Sequence, residues 1–254
     1  MLFRSRVPAI LVRSTRCLAR PAFSTLPAHL QPHPQANYQD TATNMSTVAN
    51  HADLYSEIVV DHNNVKDLYH RYKTASSNDE RATLVNTNVR ELAVHSEAEE
   101  AGPYNTLEEK GLVQESTALR QEHQELEEIL WSLDWTKIDN PDFGPKFEKA
   151  IEMFIKHSDR EEEEVLKQLE GKLSPEENAK LAADFLAKRK VVPTRPHPAA
   201  PQSGGVVQKV LGMATKPHDK IIETLQGRHF ADLKYQHSSG KVEPIKIDSA
   251  LLLA

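Results

Sequence analysis

The sequence predicts an all-α protein: an antiparallel up-down-up-down four-helix bundle with a short fifth helix and irregular tails. Three observations predict it. Apolar residues return at helical spacing in four long segments between residues 54 and 170. Capping signals open these segments and Gly or Pro closes several of them. The loops between them are short, which makes successive helices antiparallel neighbours.

The first helix is predicted from Leu54 to about Tyr72, where Tyr55, Ile58, Val59, Val65 and Tyr69 share one face with His62 in its middle. Ser77 and Glu80 have capping-box spacing for a second helix, which runs through Leu84, Val85, Leu92 and His95 to Glu100 before Gly102-Pro103 stops it. Its stripe is the least tidy, with Asn88 and Glu91 near the meridian of His95. Thr106 and Glu109 are read in the same way as the opening of a third helix, whose Leu112, Ser116, Leu119, Leu126 and Leu130 align with His123. A fourth starts near Asn140-Pro141, carries Phe143, Phe147, Ala150 and Phe154 on the side of His157, and reaches about Leu169 before Gly171. Ser174-Pro175-Glu176-Glu177 supplies an N-cap, a proline at the first helical position and a capping glutamate for the fifth helix, completed by Leu181 to Lys190.

The division that follows is a targeting peptide over 1–27, a linker over 28–50, the bundle with its extra helix over 51–190, and a tail over 191–254. The tail is read as a Pro-rich linker, then at most a weak amphipathic helix within 206–235. Residues 1–39 contain Arg4, Arg6, Arg13, Arg16 and Arg20, several Ser and Thr and no acidic residue, the composition of a mitochondrial transit peptide and, with it, a matrix location. Loss of those five arginines would take the net charge from −6 to −11, which disfavours nucleic acid as a partner. No stretch approaches the roughly 18 apolar residues that a membrane span requires. Cys17, the only cysteine, lies in the presequence, so thiolate metal sites, disulfides and cysteine nucleophiles are excluded from the body.

His95-x-x-x-Glu99 and His157-x-x-x-Glu161 are two copies of one pattern, about sixty residues apart. Four residues along a helix rotate by about 40° and rise by about 6 Å, so imidazole and carboxylate share a face one turn apart. With His62 and His123 on the inward faces of the other two helices, each helix offers one nitrogen ligand. Converging in one core, four imidazoles and two carboxylates would be costly without a cation. Two ions about 3.5 to 4 Å apart fit such a set. His62 and His95 would lie on one side, His123 and His157 on the other, and Glu99 and Glu161 across both. Glu127 is a seventh candidate, and Glu100 and Glu162 are register alternatives to the bridging pair. Tyr69, Phe143, Phe147 and Phe154 fill the core, His70 lies at the rim or on the surface, and His197 and His237 carry no spacing signal. The residues three before each inward histidine are Val59, Leu92, Arg120 and Phe154, so the Glu-x-x-His of ferritin-like bundles is absent, as is the protease signature His-Glu-x-x-His.

The segments VVDHNN, LAVHSEAEE, RQEHQEL and MFIKHSDREEE resemble the hemerythrin-like (HHE cation-binding) family over approximately residues 54 to 170. That resemblance implies a four-helix bundle with a non-haem di-iron centre held by His62, His95, Glu99, His123, His157 and Glu161. Other divalent metals would suit the same donors. Glu127 departs from oxygen-carrying hemerythrins, which place a histidine there, and this counts against reversible oxygen carriage. The expected function is a metal-binding protein that handles dioxygen, nitric oxide or iron. The alternatives are a redox-active enzyme that reduces peroxide or repairs iron clusters, and a metal-free helical adaptor.

Overall fold

The computed structural model describes residues 52–199 and 206–237, with 206–214 as backbone only. The expected transit peptide and linker, and residues 238–254, lie outside the described residues. Helix α1 is Leu54–Thr74, α2 Asn78–Glu100, α3 Pro103–Glu109, α4 Val113–Asp134 and α5 Phe143–Arg160. A π-helical turn at Glu161–Val165 joins α5 to α6, Leu166–Glu170, and then follow α7, Pro175–Arg189, and α8, Val206–Leu225. Among the described residues there is no strand, and no helix is long and apolar enough to cross a membrane.

Side chains cap the starts of α1, α2 and α7. Asp53 Oδ2 accepts the Ser56 N–H at 2.9 Å to open α1. Ser77 Oγ caps α2 through the Glu80 N–H at 3.2 Å, while Glu80 reaches past the cap to the Ser76 N–H. At α7 the capping box is complete in both directions between Ser174 and Glu177. The third predicted helix is divided. Thr106 and Glu109 lie within or at the end of α3, and Gly111 adopts φ 82°, a left-handed conformation that ends it. The Leu112 N–H then bonds the Leu107 carbonyl at 2.8 Å, and α4 starts afresh at Val113. A Cβ at Gly111 would meet no atom within 4 Å, so Gly111→Ala isolates the conformational cost. That variant is expected to lose about 1 kcal/mol in a urea melt, and unchanged stability would contradict the account of the break.

Helices α1, α2, α4 and α5 with α6 form the bundle, and α7 packs against α1 and α2. The core has two main apolar clusters. One contains Ile58, Ala98, Leu119, Val165 and Phe185, the other Val65, Leu92, Leu126, Phe147 and Phe154. His62, His95 and His123 each fall between a residue of the first cluster and one of the second along their own helix, and His157 lies between Phe154 of α5 and Val165 of the π turn. A polar layer therefore crosses the bundle between two apolar caps, and burial of those caps drives the layer dry.

The segment after α7 docks on the bundle, where the sequence suggested a linker and at most a weak helix. Asn64 and Tyr235 exchange two hydrogen bonds of 2.9 Å, Thr87 accepts the Ala231 N–H at 2.8 Å, and Arg195 and Arg228 both pair with Asp134. Single polar side chains make these contacts, so no apolar period announces them.

Candidate metal centre

Six side chains meet in the polar layer. His62, His95, Glu99 and Glu161 form one group whose ligand atoms all lie within 4.8 Å of one another, and His95, Glu99, His123 and His157 form a second. His95 and Glu99 belong to both, so the groups are continuous. The Nε2 atoms face inward: His62 Nε2 lies 3.4 Å from Glu161 Oε2, His95 Nε2 3.3 Å from Glu99 Oε2, and His123 Nε2 3.1 Å from His157 Nε2. All six are at most 3% exposed.

Each outward Nδ1 faces a carboxylate from a neighbouring helix. Glu162 lies 2.8 Å from His62 Nδ1, Asp61 3.4 Å from His95, Glu100 3.2 Å from His123, and Glu122 2.9 Å from His157. The accepting carboxylates run in a ring, from α1 to α2, α2 to α4, α4 to α5, and from the π turn back to α1. At His62, His123 and His157 a carboxylate within hydrogen-bond reach favours the ring proton on Nδ1 and leaves the inward Nε2 as a lone pair, the form that ligates, while at His95 the Asp61 contact is looser. Cations back the ring in turn: Arg189 pairs with Asp61, Arg120 lies 4.0 Å from Glu100, Arg160 2.9 Å from Glu122, and Lys66 3.7 Å from Glu162.

Glu162 and Glu100 are thereby placed outside the cluster rather than as bridging alternatives. The π turn explains Glu162. Its extra residue per turn reduces the angle between Glu161 and Glu162, so both face the interior, one to each nitrogen of His62. Glu127 belongs to neither group, and its Oε1 accepts the His197 N–H at 2.6 Å. His237 is more than a tail residue: its Nδ1 lies 2.9 Å from Glu57 and its Nε2 3.0 Å from Asp61. Tyr104, which the sequence did not single out, is fully buried, and its hydroxyl donates to Glu99 Oε2 at 2.9 Å and lies 3.2 Å from His123 Nε2. Phe154 walls the cluster, its ring 5.5 Å from His62 and 5.7 Å from His95.

The electrostatics divide the cluster: Glu161 and Glu162 raise His62 against the effect of burial, while two other imidazoles are held uncharged. Burial holds the His95 imidazole down to about 4 and, with His157 and His95 alongside, keeps His123 well below the ordinary value. Burial and the neighbouring Glu161 push Glu99 well above the carboxylate range. For Glu161 burial is outweighed by the His62 imidazole 3.4 Å away and by His157 and His95, which hold it at about 2. Orphaned atoms mark the same place. His62 Nε2, His95 Nε2, Glu99 Oε1 and both Glu161 oxygens are buried without a hydrogen-bond partner among the described residues. Such groups are costly unless a cation takes their lone pairs. Nitrogen and carboxylate donors of this kind suit iron, zinc, manganese or copper.

His237 yields a pH prediction. Burial works against its charge, but the bonds to Asp61 and Glu57 raise it to about 9. A histidine raised on folding contributes stability that is complete below its unfolded value of about 6.5 and disappears as pH rises through the folded value. The protein is therefore expected to lose stability between about pH 6.5 and 9, with a shallower decline in His237→Gln when melting is followed across that range. An identical slope in both proteins would contradict the assignment.

Two comparisons with known proteins agree with this geometry. The sequence profile of the Hemerythrin HHE cation binding domain matches residues 53–169. An uncharacterized hemerythrin-like protein of Schizosaccharomyces pombe is 33% identical over 173 residues, which cover 66% of this chain and 84% of that protein. No solved structure matches the chain at a significant level.

Proposed function

This chain belongs to the hemerythrin HHE cation-binding family, and on that premise we propose that its bundle holds two non-haem iron ions and binds dioxygen, nitric oxide or iron itself. The observation that carries the proposal is the set of buried nitrogen and oxygen atoms without partners between His62 and His157. His62, His95, His123 and His157 would hold the ions through Nε2, together with the carboxylates of Glu99 and Glu161. Four neutral imidazoles and two carboxylates bring two negative charges, which partly balance two divalent ions. Bound iron would supply an open coordination position for a small diatomic ligand.

The protein's own groups prepare the position. The Nδ1 carboxylate ring fixes imidazole orientation and raises ligand basicity. Tyr104 directs a hydroxyl at Glu99, and Phe154 and the two apolar clusters keep bulk water out. Anaerobically iron-loaded protein is expected to develop new visible absorption when dioxygen or nitric oxide is added in stoichiometric amount. A spectrum that neither gas changes would overturn the ligand-handling part. Repeated turnover of peroxide would instead favour the redox enzyme. The arginine-bearing, acid-free residues 1–39 support a mitochondrial address, which import and processing by isolated mitochondria would test.

A further inference from the structure

Away from the histidine cluster, α2, the end of α7 and α8 enclose two adjoining clefts of about 440 and 320 Å³. They share Arg90, Thr194 and Lys216; Arg189 and Lys190 line the first, and Lys220 and Arg228 the second. Six Lys and Arg side chains thus converge where the acidic lining residues are Glu91 and Glu223. Both acids are engaged, Glu91 by Arg189 at 3.0 Å and Glu223 by the Thr194 hydroxyl at 2.8 Å. Arg189 is shared with Asp61, and Arg228 is held by Asp134. Among the described residues, Arg90, Lys190, Lys216 and Lys220 form no ion pair.

Two of these cations are held in place, while Lys190 and Lys220 are exposed. Arg90 lies over the Phe230 ring at 4.8 Å, and Lys216 Nζ donates to the Lys190 carbonyl. Burial, with Arg90 and Arg189 nearby, depresses the Lys216 ammonium. Crowding like charges in half-buried clefts costs free energy that a counter-anion would return. In a chain of net charge −6, such a basic enclave is a local departure.

We propose that the double cleft binds a diphosphate group, with Arg90 and Lys216, which line both lobes, as its central cations. A guanidinium presents paired N–H donors that match phosphate oxygens, and an ammonium supplies a compact charge beside it. The volumes fall within the range of small-ligand sites. The ligand is inorganic pyrophosphate or the diphosphate of a nucleotide, which share this chemistry. The site does not rest on the iron reading.

Calorimetric titration of the full chain at constant ionic strength tests it, with pyrophosphate, ADP, orthophosphate and sulfate as probes and both metal-free and iron-loaded protein in the cell. Pyrophosphate or ADP is expected to bind saturably and at least about tenfold more tightly than sulfate. Tighter binding of ADP than of pyrophosphate would identify a nucleotide, and the reverse the inorganic ion. The double variant Lys216→Glu, Lys220→Glu is expected to weaken binding at least about tenfold; Arg90→Gln provides the same test if that variant does not fold. No saturable binding, equal affinity for sulfate, or undiminished binding in a folded variant would overturn the proposal. Because the titration includes metal-free protein, failure here is distinguishable from failure to load iron.

Discussion

Replacing His95 and His157 together with leucine is expected to abolish iron binding while the bundle stays folded. His95 belongs to both donor groups and His157 to one, so the change removes a donor from each and two from the second. The two side chains are buried, and leucine fits an environment already walled by Phe154. Exchanging a whole buried ion pair for apolar groups of similar size is often neutral or stabilising by about 1 to 4 kcal/mol, and the Glu99 and Glu161 left behind are pushed by burial towards their uncharged form once the two imidazoles are gone. Asp61 keeps Arg189 and His237 as partners, and Glu122 keeps Arg160, so neither carboxylate is stranded. The metal-free variant should therefore melt no lower than the parent. The loaded comparison should reverse, because iron at a thousandfold above its dissociation constant adds about 4 kcal/mol to the parent and nothing to the variant. Iron per chain and melting with and without iron read both effects. If the two proteins respond equally to iron, the chain is a helical adaptor and the histidine layer is structural.

Asp61→Ala is expected to be the most damaging change outside the six candidate ligands. One carboxylate serves Arg189, His237 and the Nδ1 of His95, and these contacts hold its pKa far below the ordinary carboxylate range against the effect of burial. Alanine would leave a guanidinium and a charged imidazole facing a buried space. Breaking a buried pair from one side costs about 3 to 5 kcal/mol. It would also free the His95 ring, and loss of such outer partners lowers metal affinity about 10- to 100-fold. Asp61→Asn, which keeps the shape, should affect both less. A loss of stability below about 1 kcal/mol in urea denaturation would contradict the hub role.

The helices were legible because their signals are local. Ser77, Ser174 and the 3.6-residue return of Ile58, Val65 and Tyr69 can be read within a few turns. The same locality misled at Thr106 and Glu109, which imitate a capping box but lie in and at the end of α3, because left-handed Gly111 divides the stretch. His95 with Glu99 and His157 with Glu161 could be paired from spacing alone, since both members sit on one helix. Their surroundings could not. Asp61 serves a histidine on α2, Glu100 one on α4, Glu122 one on α5 and Glu162 one on α1, and only the assembled bundle brings them together. The π turn that separates the tasks of Glu161 and Glu162 leaves no trace in an apolar period. Tyr104 sits on a seven-residue helix too short to show one, and His237 and Tyr235 dock through isolated polar bonds.

Counting iron in the anaerobically loaded and desalted protein tests the central claim most directly. Two ions per chain, about 3.5 to 4 Å apart by X-ray absorption, are the predicted result. Fewer than about one ion per chain, or a single ion with no metal neighbour, would contradict a dinuclear centre.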